Sequence, residues 1–585
     1  MGVSQAVGGG GGSVATGSGV AGGGATATGD VTAPGNATNS NVTATAGAAA
    51  GSGGDSSQGS GAAGGAAVAR SKASSSGLTS VNSSATAQDG NGGSGSGVGN
   101  AGGAGGASTA SASGTSTGAG FVGVSASAGS ASGSGGNGFG GASGGAGASE
   151  SVMNAVSGST AGQLVLTQSA SGGLGGNTSG ALSGSAGMGG NASSALDVAD
   201  KDAASLTATV EAGGGSGGGT DNGKAGAGGD AVATLTATST SASSVTGAAA
   251  AAGGDGGFNA AAGIHSGTGG NASANVSISA NGGAGSATAT ATGGASAVAA
   301  GSADAIASIS NAKSGGAAAS SRSNDGAGDE VLTTAGSPVG GPASAATKTA
   351  IATGEKPSVT LVAGQAQSVA ALTPGGRTFG VGAMSAGYGG EGESLTYTDG
   401  ADFDFTTAAA GTLYVDLVSN VSSGVGFDSL GLDIDVNGEQ HTYGFTNLAS
   451  AEAFFDGNAL DLGSFAVGSQ VVEFTYTLTA SESDFAGFGF TYNAAGLPIF
   501  PAVPETKTWV MTLLGFGSLA YAAFRRQREI GDSSSVVIAW IELSHSRAAC
   551  APDDRTSTAR SPRTGAPSTD RPTSLRSDSP SCRHR

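Results

Sequence analysis

The sequence predicts an all-β protein of unusual layout. A jelly-roll-like β-sandwich is preceded by a Gly/Ala/Ser/Thr-rich low-complexity region and followed by one short hydrophobic helix. Two observations carry this prediction: runs of alternating apolar and polar residues between about 355 and 500, and a composition before 350 too poor in large side chains for an ordinary core. A third is an apolar segment at 509–524 that ends on arginines.

The low-complexity region covers residues 1–350. It contains three aromatic residues (Phe121, Phe139 and Phe258) and 22 charged ones. Ordering a residue costs about 1–2 kcal/mol of backbone entropy, and an Ala methyl returns much less than a buried Leu or Phe. Two states fit this composition: an irregular β-array of stacked small side chains, or a disordered chain.

The β-array alternative depends on a loose repeat. Gly-Gly followed by Asn or Asp recurs from Gly53 to Gly269, at intervals between 14 and 82 residues. We interpret these triplets as turns, because Gly accepts positive φ and Asn or Asp caps a turn. Runs such as 269–294 alternate Thr or Ser with Ala, Val or Ile, which is the period of a strand. Thr288, Thr290 and Thr292 would then share one strand face.

The sandwich is predicted at 355–500. Candidate strands are 358–363, 367–372, 394–398, 402–407, 411–418, 428–436, 440–446, 470–479 and 484–492. Asn437-Gly438 between two such runs is a strong hairpin signal, and 448–457 fits one short helix. Short strands at close spacing favour a jelly-roll type of sandwich.

The charge balance limits which binding partners are expected. The whole chain has a net charge of −19, and residues 355–500 hold 17 acidic side chains against Lys356 and Arg377. This sign excludes nucleic acid as an expected partner. It is compatible with solubility, with condensed cations or with a basic partner.

The search for chemistry in the sequence finds no catalytic motif, and the expectation is a non-enzymatic protein. Four dispersed histidines make a zinc site improbable. Asp399, Asp402 and Asp404 are the best candidates for a Ca²⁺ site, since calcium prefers carboxylate oxygens. The alternative, which we favour, is that Asp402 and Asp404 point to solvent while Phe403 and Phe405 fill the core. A glycosidase pair at Glu391 and Glu393 is disfavoured, because no aromatic sugar platform surrounds it.

The segment 503–528 reads "VPETKTWVMTLLGFGSLAYAAFRRQR". As a helix, 509–524 would be about 24 Å long, which is short for a bilayer span. Aromatic residues flank it and a basic cluster follows it, as at the cytoplasmic end of a membrane helix. The predicted anchor residues are Trp509, Leu513, Leu514, Gly515, Phe516, Tyr521 and Phe524, and the basic cluster is Arg525, Arg526 and Arg528.

This arrangement resembles the PEP-CTERM sorting signal of bacterial surface proteins, a segment also labelled an ice-binding-protein C-terminal motif. The resemblance implies that a membrane-embedded exosortase recognises Val503, Pro504 and Glu505. Here Thr506 stands where the family usually has Pro. The implied protein is exported, held transiently in the inner membrane, and then found at the cell surface or in a biofilm matrix beside exopolysaccharide and surface glycans.

Both ends of the sequence depart from that pattern. The first residues show no basic region followed by an apolar one, which indicates a truncated or misplaced start. After Arg528 a tail of Arg, Ser and Pro continues to 585, where the family signal normally ends. We expect this tail to be disordered or an out-of-frame read.

The leading hypothesis is therefore an exported surface or matrix protein with no cofactor of its own. The first alternative is an ice- or surface-binding protein that uses Thr-rich β faces. The second is a carbohydrate-binding or carbohydrate-active β-sandwich.

Overall fold

The computed structural model describes residues 1–33, 41–129, 133–180, 184–296, 298–312, 314–324, 330–338, 343–350, 377–388, 395–407, 410–424, 426–480 and 486–497. The chain divides into two compact units, Met1–Ala522 and Ala523–Arg585, and every described residue belongs to the first. The described part is all-β with one short helix, as the sequence predicts.

The repeat region is a regular array of strands. In chain order these are β1 (Gly2–Val7), β2 (Ala25–Ala33), β3 (Val42–Ala49), β4 (Ala67–Ser75), β5 (Val81–Gln88), β6 (Gly95–Ser96), β7 (Ser108–Ser116), β8 (Val122–Ala128), β9 (Gly138–Phe139), β10 (Glu150–Met153), β11 (Val156–Ser159), β12 (Gln163–Ser171), β13 (Thr178–Ser179), β14 (Ala192–Asp200), β15 (Ser205–Gly213), β16 (Ala231–Ser239), β17 (Ser244–Ala252), β18 (Phe258–Asn259), β19 (Ile264–His265), β20 (Ala272–Ser279), β21 (Ala284–Thr292), β22 (Ala303–Ser310) and β23 (Ser314–Asn324).

These strands form a two-sheet solenoid. The first sheet runs β1-β3-β5-β8-β12-β15-β17-β21-β23 and is parallel throughout. The opposite layer runs β2-β4-β7-β11 and then β10-β14-β16-β20-β22. Paired residues lie one coil apart, so Ala25 faces Ala67, 42 residues on, and Ala192 faces Ala231, 39 residues on. Inward Ala, Val and Leu side chains, such as Val81, Leu164 and Leu206, form the core between the sheets.

The opposite layer is interrupted between β11 and β10, which belong to separate sheets. A polar side chain fills this gap. Gln168 of β12 is fully buried, and its amide nitrogen donates to the carbonyl oxygens of Val152 (3.0 Å) and Ala195 (2.8 Å). Its amide oxygen accepts from the backbone N–H of Ala155 at 3.0 Å. A buried polar group costs free energy unless it is hydrogen-bonded, and these bonds satisfy the Gln168 amide. Gln168 therefore stabilises the interruption, where one coil contributes two short strands, β10 and β11, in place of one long strand.

Outside the sheets, each coil adds two glycine-rich extended segments that run in opposite directions. Every third N–H in a segment donates to the next coil: Gly172 to Gly213 O, Gly175 to Ser216 O and Thr178 to Gly219 O, at 2.7–2.9 Å. A period of three residues with no internal hydrogen bonds is that of a polyproline-II-type helix. The solenoid therefore combines a β-sandwich with a bundle of such helices.

In each three-residue turn of an extended segment, the N–H that follows the one bonded to the next coil donates to a carbonyl oxygen of the opposing layer of segments. Gly173 donates to Ala148 O, Gly190 to Gly173 O and Gly215 to Gly190 O, each at 2.8 Å. The third residue of the turn points outward. Leu174 and Met188 are exposed on this surface, by 52% and 61%. Backbone packing thus favours glycine at two positions in every three.

This arrangement corrects our interpretation of the Gly-Gly-Asn/Asp triplets. They are not turns but parts of the extended segments, and Gly175 and Gly189 lie on the outgoing and returning segments of one coil. The Asn or Asp side chain caps the next coil: the amide oxygen of Asn191 accepts from Asp230 N, and a carboxylate oxygen of Asp230 accepts from Asn271 N. The irregular array is replaced by a regular one whose period, mostly 39–42 residues, the triplets do not reveal.

The second region is antiparallel. Its elements are β24 (Glu330–Pro338), β25 (Ala343–Ala350), β26 (Arg377–Tyr388), β27 (Leu395–Thr407), β28 (Gly411–Gly424), β29 (Ser429–Val436), β30 (Glu439–Phe445), α1 (Leu448–Phe454), β31 (Asn458–Phe465), β32 (Gly468–Ala480) and β33 (Ala486–Leu497). The first sheet continues β23-β24-β26-β33-β28-β31, and the second continues β22-β25-β27-β32-β29-β30. Neither sheet breaks at residue 350, where the composition changes.

Large side chains fill the space between these antiparallel sheets. Phe474 and Tyr492 stack with ring centroids 4.6 Å apart, and Phe403 meets both edge-on. The hydroxyl of buried Tyr476 donates to Phe488 O at 2.8 Å. Burial of such rings contributes roughly 1.5–3 kcal/mol each, so this half holds together by ordinary core packing.

Most of the predicted local elements are confirmed here. Asn437 and Gly438 have φ of 56° and 91° and join β29 to β30, as a type I′ hairpin turn requires. The helix predicted at 448–457 is α1, and Asn447 caps it by accepting from Ser450 N. The strands predicted at 394–398 and 402–407 form one strand, β27, whereas β26 and β31 were not predicted. The strands predicted at 358–363 and 367–372 lie outside the described residues.

A glycine substitution tests the packing of the extended segments. A Cβ on Gly215 would lie 1.9 Å from Gly173 O, whereas a Cβ on Gly213 meets nothing within 4 Å. We expect Gly215→Ala to lower the free energy of unfolding by about 3 kcal/mol, because the opposing layers must separate. Ala62 and Ala148 hold such positions elsewhere, so local separation is feasible.

Denaturant unfolding followed by circular dichroism measures this difference, with Gly213→Ala as the matched control. The control should unfold within about 0.5 kcal/mol of the parent chain. Equal effects of the two substitutions would contradict the close approach of the segments.

Candidate binding surface

The outer face of the first sheet carries an ordered array of hydroxyl groups. In-register parallel pairing aligns residues from successive coils, so Thr45, Ser84, Ser125, Thr167 and Thr209 form one row across five adjacent strands. Neighbouring strands lie about 4.8 Å apart, which gives a row of about 19 Å. All five side chains are partly exposed.

Parallel rows on either side extend the array. We call it the hydroxyl face and define it by the outward Ser and Thr residues of β3, β5, β8, β12 and β15: Thr43, Thr45, Ser84, Thr86, Ser125, Ser127, Thr167, Ser169, Ser171, Ser205, Thr207 and Thr209. Some hydroxyls bond along a row, as Ser125 to Ser84 (3.0 Å) and Ser169 to Ser127 (2.9 Å). Such bonds fix side-chain orientation before any ligand arrives.

The hydroxyl face is almost free of charge. On its five strands, Glu211 is the one outward charged side chain, and burial raises the pKa of its carboxyl. The outer face of the opposite layer differs, since Arg70, Lys72 and Asp197 are exposed there. The two sides of the solenoid therefore present different chemistry.

The predicted threonine row lies outside this array, on β21, which β17 separates from β15. Thr288, Thr290 and Thr292 point outward from β21, as alternation predicts. Their neighbours on β17 are Ala248, Ala250 and Ala252, so threonine does not continue across the sheet. The continuous rows run between strands, from residues about 40 positions apart in the chain, and alternation within one strand cannot reveal them.

A pair of acidic side chains is buried inside the solenoid. Asp89 follows β5 and Glu150 begins β10, and both are more than nine-tenths buried. Glu150 accepts hydrogen bonds from Ser108 N and from the Ser108 hydroxyl at 3.0–3.2 Å. Neither carboxylate oxygen of Asp89 receives a hydrogen bond within the described part of the chain.

Burial, together with the charge of Asp89, raises the pKa of Glu150 to about 8. Burial also raises the pKa of Asp89. The pair therefore retains a proton at neutral pH. Since both groups are enclosed in the core, we interpret the pair as structural.

The predicted calcium ligands are separated by strand geometry. Asp399 is buried on the inner face of β27, Asp402 is partly exposed on the other face, and Phe403 is in the core. Alternation therefore explains Asp402 and Phe403, as we favoured, whereas the side chain of Asp404 lies outside the described part. Within the described residues, no group of three His, Cys, Asp or Glu side chains is arranged to hold a metal ion.

The sorting-signal residues, from Val503 to Arg528, lie outside the described residues, as do Glu391 and Glu393 and the tail 529–585. Among the helices that the structure does describe, none has the length and apolar character needed to span a membrane.

Comparison with known proteins gives little. No protein-family model and no curated protein matches this chain. A solved structure of TmCBM61 in complex with β-1,4-galactotriose aligns over 19% of this chain and 69% of that chain, with 9% identity and a TM-score of 0.13. A TM-score this low supports no conclusion about fold or ligand.

The acidic pair predicts a pH dependence of stability. Between the ordinary carboxyl pKa of 4.5 and about 8, the folded chain keeps a proton on Glu150 that the unfolded chain has lost. The free energy of unfolding should therefore fall as pH rises across this window, by up to about 1.4 kcal/mol per pH unit. Denaturant unfolding at pH 5, 6.5 and 8 measures the slope.

Glu150→Gln should flatten that slope, because an amide does not titrate. Asp197→Asn, which changes an exposed carboxylate on β14, should leave it in place. A slope unchanged by Glu150→Gln would show that another group is responsible.

Proposed function

We propose that this chain is an exported, non-enzymatic protein of the cell surface or extracellular matrix, and that its hydroxyl face holds a polysaccharide. The observation that carries the proposal is the in-register row from Thr45 to Thr209. A long polymer rich in hydroxyl groups can follow such a row and exchange donors and acceptors at each strand.

Affinity in this proposal comes from repetition. A single hydrogen bond adds only about 1 kcal/mol net, but a polymer that contacts many equivalent groups gains through effective concentration. The rows are fixed by backbone pairing and by bonds such as that from Ser125 to Ser84, so little ordering entropy is lost on binding. The near absence of charge on the face favours a neutral polymer segment.

The antiparallel half fits a jelly-roll assignment. From β26 to β33 the strands divide into the orders β26-β33-β28-β31 and β27-β32-β29-β30. These orders support two interleaved Greek keys, the defining topology of a jelly roll. Carbohydrate binding or a carbohydrate-directed activity in this half remains a third hypothesis.

A second candidate function, ice or crystal-surface binding, uses the same face. The regular spacing of about 4.8 Å between strands favours a crystalline partner as well. Asn82, Gly123 and Val165 interrupt one neighbouring row, and Gly47 and Glu211 stand at the two ends of the other. These positions disfavour a continuous match to a flat lattice. We therefore rank a flexible polymer first.

Removal of two central hydroxyls tests the proposal. Thr167→Val with Thr209→Val keeps side-chain shape, and Thr234→Val with Thr236→Val on the opposite layer is the matched control. Co-sedimentation with exopolysaccharide purified from the producing cells, and with insoluble glucans, should show about tenfold weaker binding for the first double variant only.

Equal binding by the two double variants would overturn the role of the hydroxyl face. Ice shaping or thermal hysteresis lost in the first double variant, without polymer binding, would favour the second candidate function instead.

The export part of the proposal rests on 503–528, where the sequence resembles a sorting signal. If exosortase processing occurs, mass spectrometry of the protein recovered from the cell surface should give a C-terminus near 503–506. Recovery of an intact chain ending at Arg585 would contradict the sorting proposal, and leave polymer binding to be decided separately.

A further inference from the structure

Two polar residues interrupt a row of alanines in the opposite layer of the solenoid. Ser108 begins β7 and Glu150 begins β10. Their counterparts on the neighbouring strands of this layer are all alanine: Ala25, Ala67, Ala192, Ala231, Ala272 and Ala303. The hydroxyl of Ser108 donates to one carboxylate oxygen of Glu150 at 3.2 Å, and the Ser108 N–H donates to the other at 3.0 Å. The two polar residues therefore meet in one corner of the core.

Asp89 brings a second carboxylate to the same corner. It follows β5, at a position where the two preceding coils have Gly8 and Ala50. Its carboxyl group is close enough to that of Glu150 for one to donate to the other when a proton is present. Asp89 is only 4% exposed, and neither of its carboxylate oxygens receives a hydrogen bond from the described part of the chain. Because a buried polar group without a partner is costly, these two oxygens point to a ligand.

The backbone of the next coil encloses both carboxyl groups. Gly129 and Gly133 have φ of 81° and 76°. A Cβ on Gly129 would lie 2.7 Å from Cγ of Glu150, and a Cβ on Gly133 would lie 2.7 Å from a carboxylate oxygen of Asp89. Glycine at these two positions is what allows the coil to close over the corner, where Glu150 is 3% exposed. The two carboxyl groups thus meet away from solvent.

The charge of this corner is not balanced by basic side chains near Asp89 in the sequence. Arg70 and Lys72 point outward from β4 and are exposed. The proton that the pair shares removes one negative charge and leaves the other in the core. An uncompensated buried charge is strongly unfavourable, and a divalent cation would neutralise both carboxylates.

We propose that Asp89, Glu150 and Ser108 bind one Ca²⁺ ion inside the solenoid. Two carboxylates, each offering one or two oxygens, and one hydroxyl supply roughly three to five of the six to eight oxygen ligands that Ca²⁺ takes. A set of oxygen ligands without nitrogen or sulfur disfavours zinc and copper. The site has only two acidic side chains, in agreement with the absence of any three-acid group in the described residues.

The ion would join three successive coils. Its ligands come from the end of β5 and from the first residues of β7 and β10. Since these groups are enclosed in the folded chain, the ion is captured as the coils close during folding. The site lies in the interior and not on the hydroxyl face, so the ion stabilises the solenoid and does not contact a polymer.

Bound calcium in the full chain tests the site directly. The protein is refolded with Ca²⁺ at physiological ionic strength and passed through a desalting column, which removes ions held weakly by exposed carboxylates. Elemental analysis by mass spectrometry should find about one Ca²⁺ per parent chain. Asp89→Asn and Glu150→Gln should each abolish this retention, whereas Asp197→Asn, which changes an exposed carboxylate, should leave it unchanged.

Thermal unfolding gives an independent measurement. Ca²⁺ should raise the Tm of the parent chain by about 5 °C over the value in chelator, because the ion binds the folded state only. Mg²⁺ should raise it less, since Mg²⁺ demands near-octahedral geometry and loses water reluctantly. The double variant Asp89→Ala, Glu150→Ala places alanine at both positions, as other coils have, and should fold with a Tm that does not respond to Ca²⁺.

Two results would overturn the site: a parent chain that retains no calcium, or retention that stays the same in Asp89→Asn and Glu150→Gln. The second result would assign the bound ion to other carboxylates of the chain. Equal Tm shifts with Ca²⁺ and Mg²⁺ would overturn the assignment of the site to calcium.

Discussion

The solenoid depends on the close approach of glycine backbones between the two layers of extended segments. Along one line through the bundle, Gly190, Gly215, Gly229 and Gly254 each donate an N–H to a carbonyl of the facing layer, at 2.8 Å. A side chain at such a position would overlap the facing carbonyl, as at Gly215, where a Cβ would lie 1.9 Å from Gly173 O. Where a globular domain uses large apolar side chains, this region uses backbone hydrogen bonds, and it needs few residues larger than Ala or Val.

The same packing fixes the register of the sheets. Each coil is held to the next both by strand pairing and by bonds from every third residue of its extended segments, as Gly172 to Gly213 and Gly175 to Ser216. A slip by one residue would turn the Leu164 and Leu206 side chains outward and bring Val165 and Thr207 into the core. Because the register cannot slip, Ser and Thr on successive strands stay aligned, and the hydroxyl face exists as rows and not as scattered groups.

The two halves of the described chain reach one architecture by different means. In the antiparallel half, Phe403, Phe474 and Tyr492 fill the space between the sheets. In the solenoid the inward side chains are mostly Ala, Val and Leu, and the Gly segments supply the remaining cohesion. Both sheets nevertheless continue from one half to the other through β24 and β25. The antiparallel half thus serves as the cap that a parallel solenoid requires at one end.

The local sequence by itself determined many strands of the antiparallel half and their faces, although not β26 and β31. Alternation predicts that Leu413, Val415 and Leu417 are buried, and Asn437-Gly438 predicts a tight hairpin; both are found. It also determined that residues 1–350 cannot build a core from large side chains. Only the tertiary structure decided that Gly-Gly-Asn triplets are extended segments, that Thr45 stands beside Ser84, and that Asp89 and Glu150 are enclosed together. The physical reason is range: alternation and turn chemistry act over two to four residues, whereas these contacts join residues about 40 to 60 positions apart and exist only when successive coils stack in register.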